Sequence, residues 1–226
     1  MGTSRGRSDD APYSRHDAAI WYTHRIVAAA EAGDVEALPR IATPFPPRHA
    51  VDEVVVASGR VDVMTWRALG NGSYVHNGGF FFATGAAGLA ATALFAGAQA
   101  VGNSARRSQA AAAATPRWVH DWSAQLSVST HGFYFENATG LLPWGFADVD
   151  AMELVGPGAV SMRGSSTTGP ISWILLTDWA ELLLVFWALV RHRQHPQYVS
   201  GSWVPPGWRD REQRRLSTSQ AELPPG

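Results

Sequence analysis

Apolar positions first recur with helical spacing. In "SRHDAAIWYTHRIVAAAEAGD", Ile20, Trp21, His24, Ile26, Val27 and Ala30 populate one broad face of a helix. Ser14 can cap its N-terminus, with Asp17 three residues on in the place of the Glu of a capping box. Gly33 fits the C-terminal stop. "DVEAL" adds a short turn, and "TPFPPRHAVDE" reads as a Pro-rich connector, so residues 15–50 form an N-terminal helical segment with its link onward. Residues 1–14 are polar and rich in Gly, Ser, Arg and Asp, the composition of a disordered tail.

The period then changes from helical to alternating. "EVVVASGRVDVMTWRAL" is β-branched and aromatic, with Gly59 expected to break it into two strands. "GNGSYVHNGG" reads as a loop. Strands return after Pro116. "AQLSVST" and "GFYFEN" flank "TH" as a hairpin; "LLPWGFADV", "AMELVG", "AVSMRG" and "ISWILLTD" follow, with "SSTTGP" a polar loop. "WAELLLVFWALVRHRQHP" closes as an apolar helix. Glu181 in its first turn, Arg191 and Arg193 in its last and Pro196 beyond all suit the helix dipole. Trp179, Leu183, Phe186, Trp187 and Val190 should face the sheet. Trp203 and Trp208 of "GSWVPPGW" can pin an extended segment onto the fold, and residues 209–226 read as a second disordered tail. The pattern predicts an α+β fold over residues 51–208. It is an antiparallel barrel or sandwich with an N-terminal helix, an Ala-rich helical insert over 80–114 and a C-terminal capping helix.

The insert raises the question of compartment. Its apolar core, Phe80 to Val101, is about the ~20 residues a membrane span needs, and Arg106 and Arg107 sit just past it as cytoplasmic anchors do. Ala and Gly dominate it, however, and they favour close helix contact more than transfer into lipid. A single crossing would also divide the strands before it from those after it. The segment is therefore a helix packed on the barrel or at an oligomer interface, a helix lying in the membrane interface, or an inserted anchor. Phe80, Phe81, Phe82, Phe95, Arg106 and Arg107 are the candidate membrane or partner contacts.

Composition adds constraints. Ten tryptophans make the core aromatic, and the net charge of −1 implies no strongly basic or acidic partner, nucleic acid included. All 18 basic residues are Arg, the better fork for a phosphate but also the mark of a GC-rich genome. Absence of Cys excludes disulfides and Cys-ligated metals. "MGTSRGRSDDAPYSRHD" lacks an apolar signal region, so the expected compartment is cytoplasmic, with membrane association as a variant.

Candidate chemistry is sparse. His192 and His195 are spaced as a metal pair, but no third ligand is near in sequence, and His at a helix end is explained by the dipole. His120 and Asp121 are sequence neighbours, which do not share one face of a strand. Asp178 and Glu181 are best explained as N-terminal capping carboxylates. Arg163 with the hydroxyls and Gly169 of "RGSSTTGP" can cradle a phosphate, although an exposed hairpin loop is the simpler reading. The Gly-rich run 70–79 lacks phosphate-loop spacing and Lys. Asn71 and Asn137 head glycosylation sequons that carry no meaning in a cytoplasm. No nucleophile, base and orienting group emerge as a set, so no catalytic residue, cofactor or metal is expected.

The order of elements from Ala124 to Val190 resembles the bacterial PH-like and GRAM-like families. Leu126, Val128, Thr130, Phe133 and Phe135 fill the pattern of their hairpin, and Trp144, Phe146 and Val149 that of the next strand. The wider layout over roughly residues 50–208 is similar to uncharacterised proteins of high-GC Gram-positive bacteria. The long insert departs from an ordinary PH-like domain. The resemblance implies a noncatalytic binding or scaffold module whose partner is a protein or the inner face of the membrane, with homo-oligomers allowed. The alternatives are an integral membrane protein anchored by 80–101 and an enzyme of unrecognised type.

Overall fold

The computed structural model describes residues 13–68, 114–167 and 169–221. The chain divides into two compact units, residues 1–64 with 120–226, and residues 65–119. The predicted helix over 80–114, with Phe80, Phe81, Phe82, Phe95, Arg106 and Arg107, lies outside the described residues.

Helix α1 spans Arg15–Glu31. Ser14 accepts the Asp17 N–H and Asp17 accepts the Ser14 N–H, so the capping box forms with Asp in the Glu position. Gly33 leaves the helix at φ 70°, a conformation that favours Gly. A 3₁₀ turn, Val35–Ala37, realises the short turn expected at "DVEAL".

Seven strands follow: β1 Val55–Arg67, β2 Arg117–Ser129, β3 Gly132–Asn137, β4 Gly140–Gly145, β5 Val149–Gly156, β6 Ala159–Ser166 and β7 Gly169–Leu176. They form one antiparallel sheet in the order β4-β3-β2-β1-β7-β6-β5. Leu126 pairs with Phe135 and Val128 with Phe133, all four fully buried, so the alternation in "LSVSTHGFYF" is a core-facing hairpin. Val61, Val63, Met162 and Leu175 extend the same core across β1, β6 and β7.

Gly59 does not divide the first strand: β1 runs through it. Trp179 donates its indole N–H to the Ser58 carbonyl at 3.0 Å, and a Cβ on residue 59 would lie 2.9 Å from that indole nitrogen. The glycine is there to admit the ring. Gly132 has a like role, since a Cβ there would lie 2.2 Å from the Trp144 carbonyl.

Helix α2, Ala180–Arg191, packs on β5, β6, the 3₁₀ turn Phe146–Asp148 and α1. Ala180 to Ala188 are all buried, because the helix is covered by the sheet on one side and α1 on the other. Leu183, Phe186 and Trp187 face inward as predicted. Val190 does not; it is 54% exposed, in the last turn of the helix. A short helix α3, Pro196–Val199, follows.

The C-terminal tail is not disordered throughout: Trp208–Ala221 forms helix α4. Its ties are polar, which hydropathy does not register. Arg211 pairs with Asp17 at 2.7 Å and Trp208 donates to the Asp17 carbonyl at 2.9 Å, while Arg215 pairs with Glu212 at 2.7 Å within the helix. Trp203 and Trp208 are buried against the fold, as the Pro-rich segment predicts.

Topology bears on the insert. β1 and β2 are neighbours, tied across by Ser58 donating to the Leu126 carbonyl and Ser123 donating to Asp62. The chain therefore leaves β1 and returns to β2 on one side of any bilayer, and a single crossing between them is incompatible with the sheet. Among the described residues no helix is long and apolar enough to cross a membrane.

Candidate functional site

The end of α2 overhangs the edge of the sheet at β5. Trp187 donates its indole N–H to the Val149 carbonyl at 3.0 Å. Gln197, on α3, accepts from the Leu154 N–H and donates to the Leu154 carbonyl, both at 2.9 Å. The two side chains occupy outward-facing backbone groups that an exposed edge strand would offer to another chain. Between them lies a cleft of about 760 Å³. Asp150 to Glu153 of β5, Ser161 and Arg163 of β6, and Arg191 to Pro196 line it, with Trp187 in its floor.

The register explains who faces it. Val160 and Met162 are buried, so the alternate residues Ser161 and Arg163 point away from the core. Arg163 pairs across to Ala151, and Ser161 to Glu153. The sequence places Arg163 on the outward face of its strand, and Arg191 and Arg193 in the last turn of their helix. What it does not carry is the packing of the α2 end over β5 and β6, which brings "MRGSS" and "HRQHP" to one cleft. Arg193 donates Nε to the Leu189 carbonyl at 3.2 Å, a C-terminal cap. Among the described residues, no ion pair joins Arg163 or Arg191 to Asp150 or Glu153.

His192 and His195 share one neighbour. Their rings pack on Trp187, with centroids 4.7 and 5.6 Å away. Nδ1 of His195 is buried without a hydrogen-bond partner. Among the described residues no group of three or more His, Cys, Asp or Glu side chains is arranged to hold a metal ion. Three arginines against two carboxylates give the cleft a positive balance. Its chemistry is that of a site for an anionic or carbonyl-bearing group.

The other candidates resolve differently. His120 meets Ser123 at 3.0 Å and lies 3.7 Å from Asp62. Ser123 donates to Asp62 at 2.5 Å, and Arg60 also reaches that carboxylate at 3.1 Å. Ser123 thus gives its proton to a carboxylate that its hydrogen bonds, Ser123 first and Arg60 after, hold below the usual Asp range.

Glu181 is more than a capping group. It is buried, lies 2.9 Å from His16 Nε2 through each carboxylate oxygen, and accepts the Gly158 N–H at 3.0 Å. Asp178 is exposed. Gly169 begins β7 at φ 121°, pairs with Ser166 across the β6–β7 hairpin, and accepts the Ser166 hydroxyl on its carbonyl at 2.9 Å.

A network unseen in the sequence ties the Pro-rich connector to β3. Tyr134 donates to Glu53 at 2.8 and 2.9 Å and accepts the Arg48 N–H at 2.7 Å; Ser129 and the His49 N–H also donate to Glu53. The Phe45 and His49 rings pack at a tilt on the Tyr134 ring, each with its centroid 4.9 Å away. Burial, with Glu53 adding to it, pushes the Tyr134 hydroxyl up to about 12, so it remains a donor. Ser129 is fully buried and so cannot meet a substrate; the network is structural.

No protein-family model, curated protein or solved structure matches this chain.

Proposed function

We propose that the chain is a noncatalytic PH-like binding module that holds a partner in the cleft at the end of α2. The sheet order supports the PH-like reading: four strands in succession, three more returning beside the first, then an apolar helix over the β5 side. The observation that carries the binding role is the cleft itself. It is preformed and about 760 Å³, and its Arg163 and Arg191 form no ion pair with the carboxylates beside them. Arg is the side chain suited to forked contact with a carboxylate or phosphate.

The test is an amide-resonance titration of the full chain with inorganic phosphate. Saturable shifts over 150–153, 161–163 and 191–195 are expected. An Arg163→Ala, Arg191→Ala double variant should lose them while keeping its remaining spectrum. Shifts scattered over the surface, or none at millimolar phosphate, would reject the cleft as the binding surface. Association with the inner membrane face is the companion of this reading.

A further inference from the structure

The unit of residues 65–119 presents one exposed aromatic group among its described residues. Trp66 is 57% exposed at the end of β1, and its ring meets that of Trp118, at the start of β2, edge-on at 5.5 Å. Arg67 follows the first tryptophan and Arg117 precedes the second. Among the described residues, this Trp pair flanked by Arg lies outside the core cluster.

Charge is distributed unevenly along the sequence. No Asp or Glu occurs between Asp62 and Asp121, whereas Arg67, Arg106, Arg107 and Arg117 do. The rest of the chain carries all 19 acidic residues and is net negative. The sequence that joins the two tryptophans includes the uncharged apolar run Phe80–Val101. Because β1 and β2 are sheet neighbours, both ends of that sequence start from one side of any bilayer.

We propose that the Trp66–Trp118 end of the β1–β2 pair seats on an anionic lipid surface. Trp is enriched at the headgroup level because its ring is apolar and its N–H polar. Arg67 and Arg117 beside it meet the negative surface potential, to which each basic residue near the surface adds attraction. The same arginines limit depth: a charge adjoining each ring keeps the strand ends at the headgroups. The proposal rests on the β1–β2 pairing and deepens the membrane association of the proposed function, while standing apart from the cleft.

The test uses the full chain with vesicles of phosphatidylglycerol and of phosphatidylcholine, and brominated phosphatidylglycerol as a depth-limited quencher of tryptophan. Binding is expected to phosphatidylglycerol alone, to weaken with salt, and to quench part of the tryptophan emission. A Trp66→Ala, Trp118→Ala double variant should bind about tenfold more weakly and lose the quenched part, the other tryptophans serving as controls. Quenching in the unaltered chain reads the proposal even where that variant does not fold. No binding to phosphatidylglycerol vesicles, or the same quenching in the double variant, overturns the proposal. Phosphate binding at the cleft is unaffected by either outcome.

Discussion

Trp187 of α2 donates its indole N–H to the carbonyl of Val149, the first residue of the edge strand β5, at 3.0 Å. One side chain therefore contributes to both the core and the sheet edge. Trp187→Ala should cost about 3–5 kcal/mol, the usual result of truncating a buried aromatic. Trp187→Phe should cost about 1–3 kcal/mol, because it keeps most of the packing and orphans the Val149 carbonyl. Urea denaturation of both variants orders them; an unchanged midpoint for the Ala variant would place α2 outside the core.

Tyr134→Phe removes the donor to Glu53 and leaves the Arg48 N–H without its acceptor. The expected loss is about 1–3 kcal/mol. It should be accompanied by faster proteolysis within 40–50, since the connector is held to β3 by this hydroxyl. Equal cleavage rates in the variant and the unaltered chain would show that the ring contacts of Phe45 and His49 suffice.

Much of the sheet was legible because it obeys a local rule. The alternation of Leu126, Val128, Phe133 and Phe135 faces one core, and Ser14 with Asp17 caps α1 as their spacing requires. Gly59 misled because its role is set by Trp179, 120 positions on in the chain. Helix α4 was missed for a different reason. Its docking depends on Arg211 finding Asp17, a pairing that no hydrophobic stripe announces. The cleft shares that origin: Arg163, Arg191 and His195 were each visible as residues, but only the fold makes them neighbours.

The Arg211–Asp17 pair yields a prediction about α4. Asp17 is buried, a factor that opposes its charge, yet the hydrogen bonds from Arg211 and Ser14 outweigh this and hold its carboxyl below the usual range. Arg211→Ala removes the guanidinium and leaves Asp17 its Ser14 contacts. A loss of about 1–3 kcal/mol is expected, short of that for a buried charge stripped of every partner. Backbone amides of 208–217 should exchange faster with solvent, while those of β2 and β3 keep their protection. Unchanged exchange over 208–217 would show that Trp208 alone holds the helix.

Two histidines of α1 should give stability opposite slopes with pH. At His16, burial disfavours the charged ring, but the hydrogen bond and charge of Glu181, with Asp178 and Asp17, outweigh it and raise the pKa above 6.5. The folded state then binds the proton more tightly than the unfolded chain. The stabilisation is full below pH 6.5 and is lost as pH rises through the folded value. At His24, burial between Trp203 and Trp208, with the charge of Arg209, lowers the pKa below 6.5. Its neutral form is the one the fold accepts, so its stabilisation is full above pH 6.5 and declines as pH falls below that value. Glu53, Asp17 and Glu212, with depressed values, lose theirs only in the lower window beneath their ordinary 3.8–4.5. Stability between about pH 5 and 9 should therefore peak near the ordinary histidine value. His16→Gln should flatten the alkaline limb alone. His24→Phe, which preserves the stack and removes the unpartnered buried Nε2, should flatten the acid limb and gain on the unaltered chain as pH falls. Denaturant midpoints across that range, measured for the three proteins, check both signs; a His16→Gln profile that keeps its alkaline decline would separate the His16–Glu181 pair from the pH response.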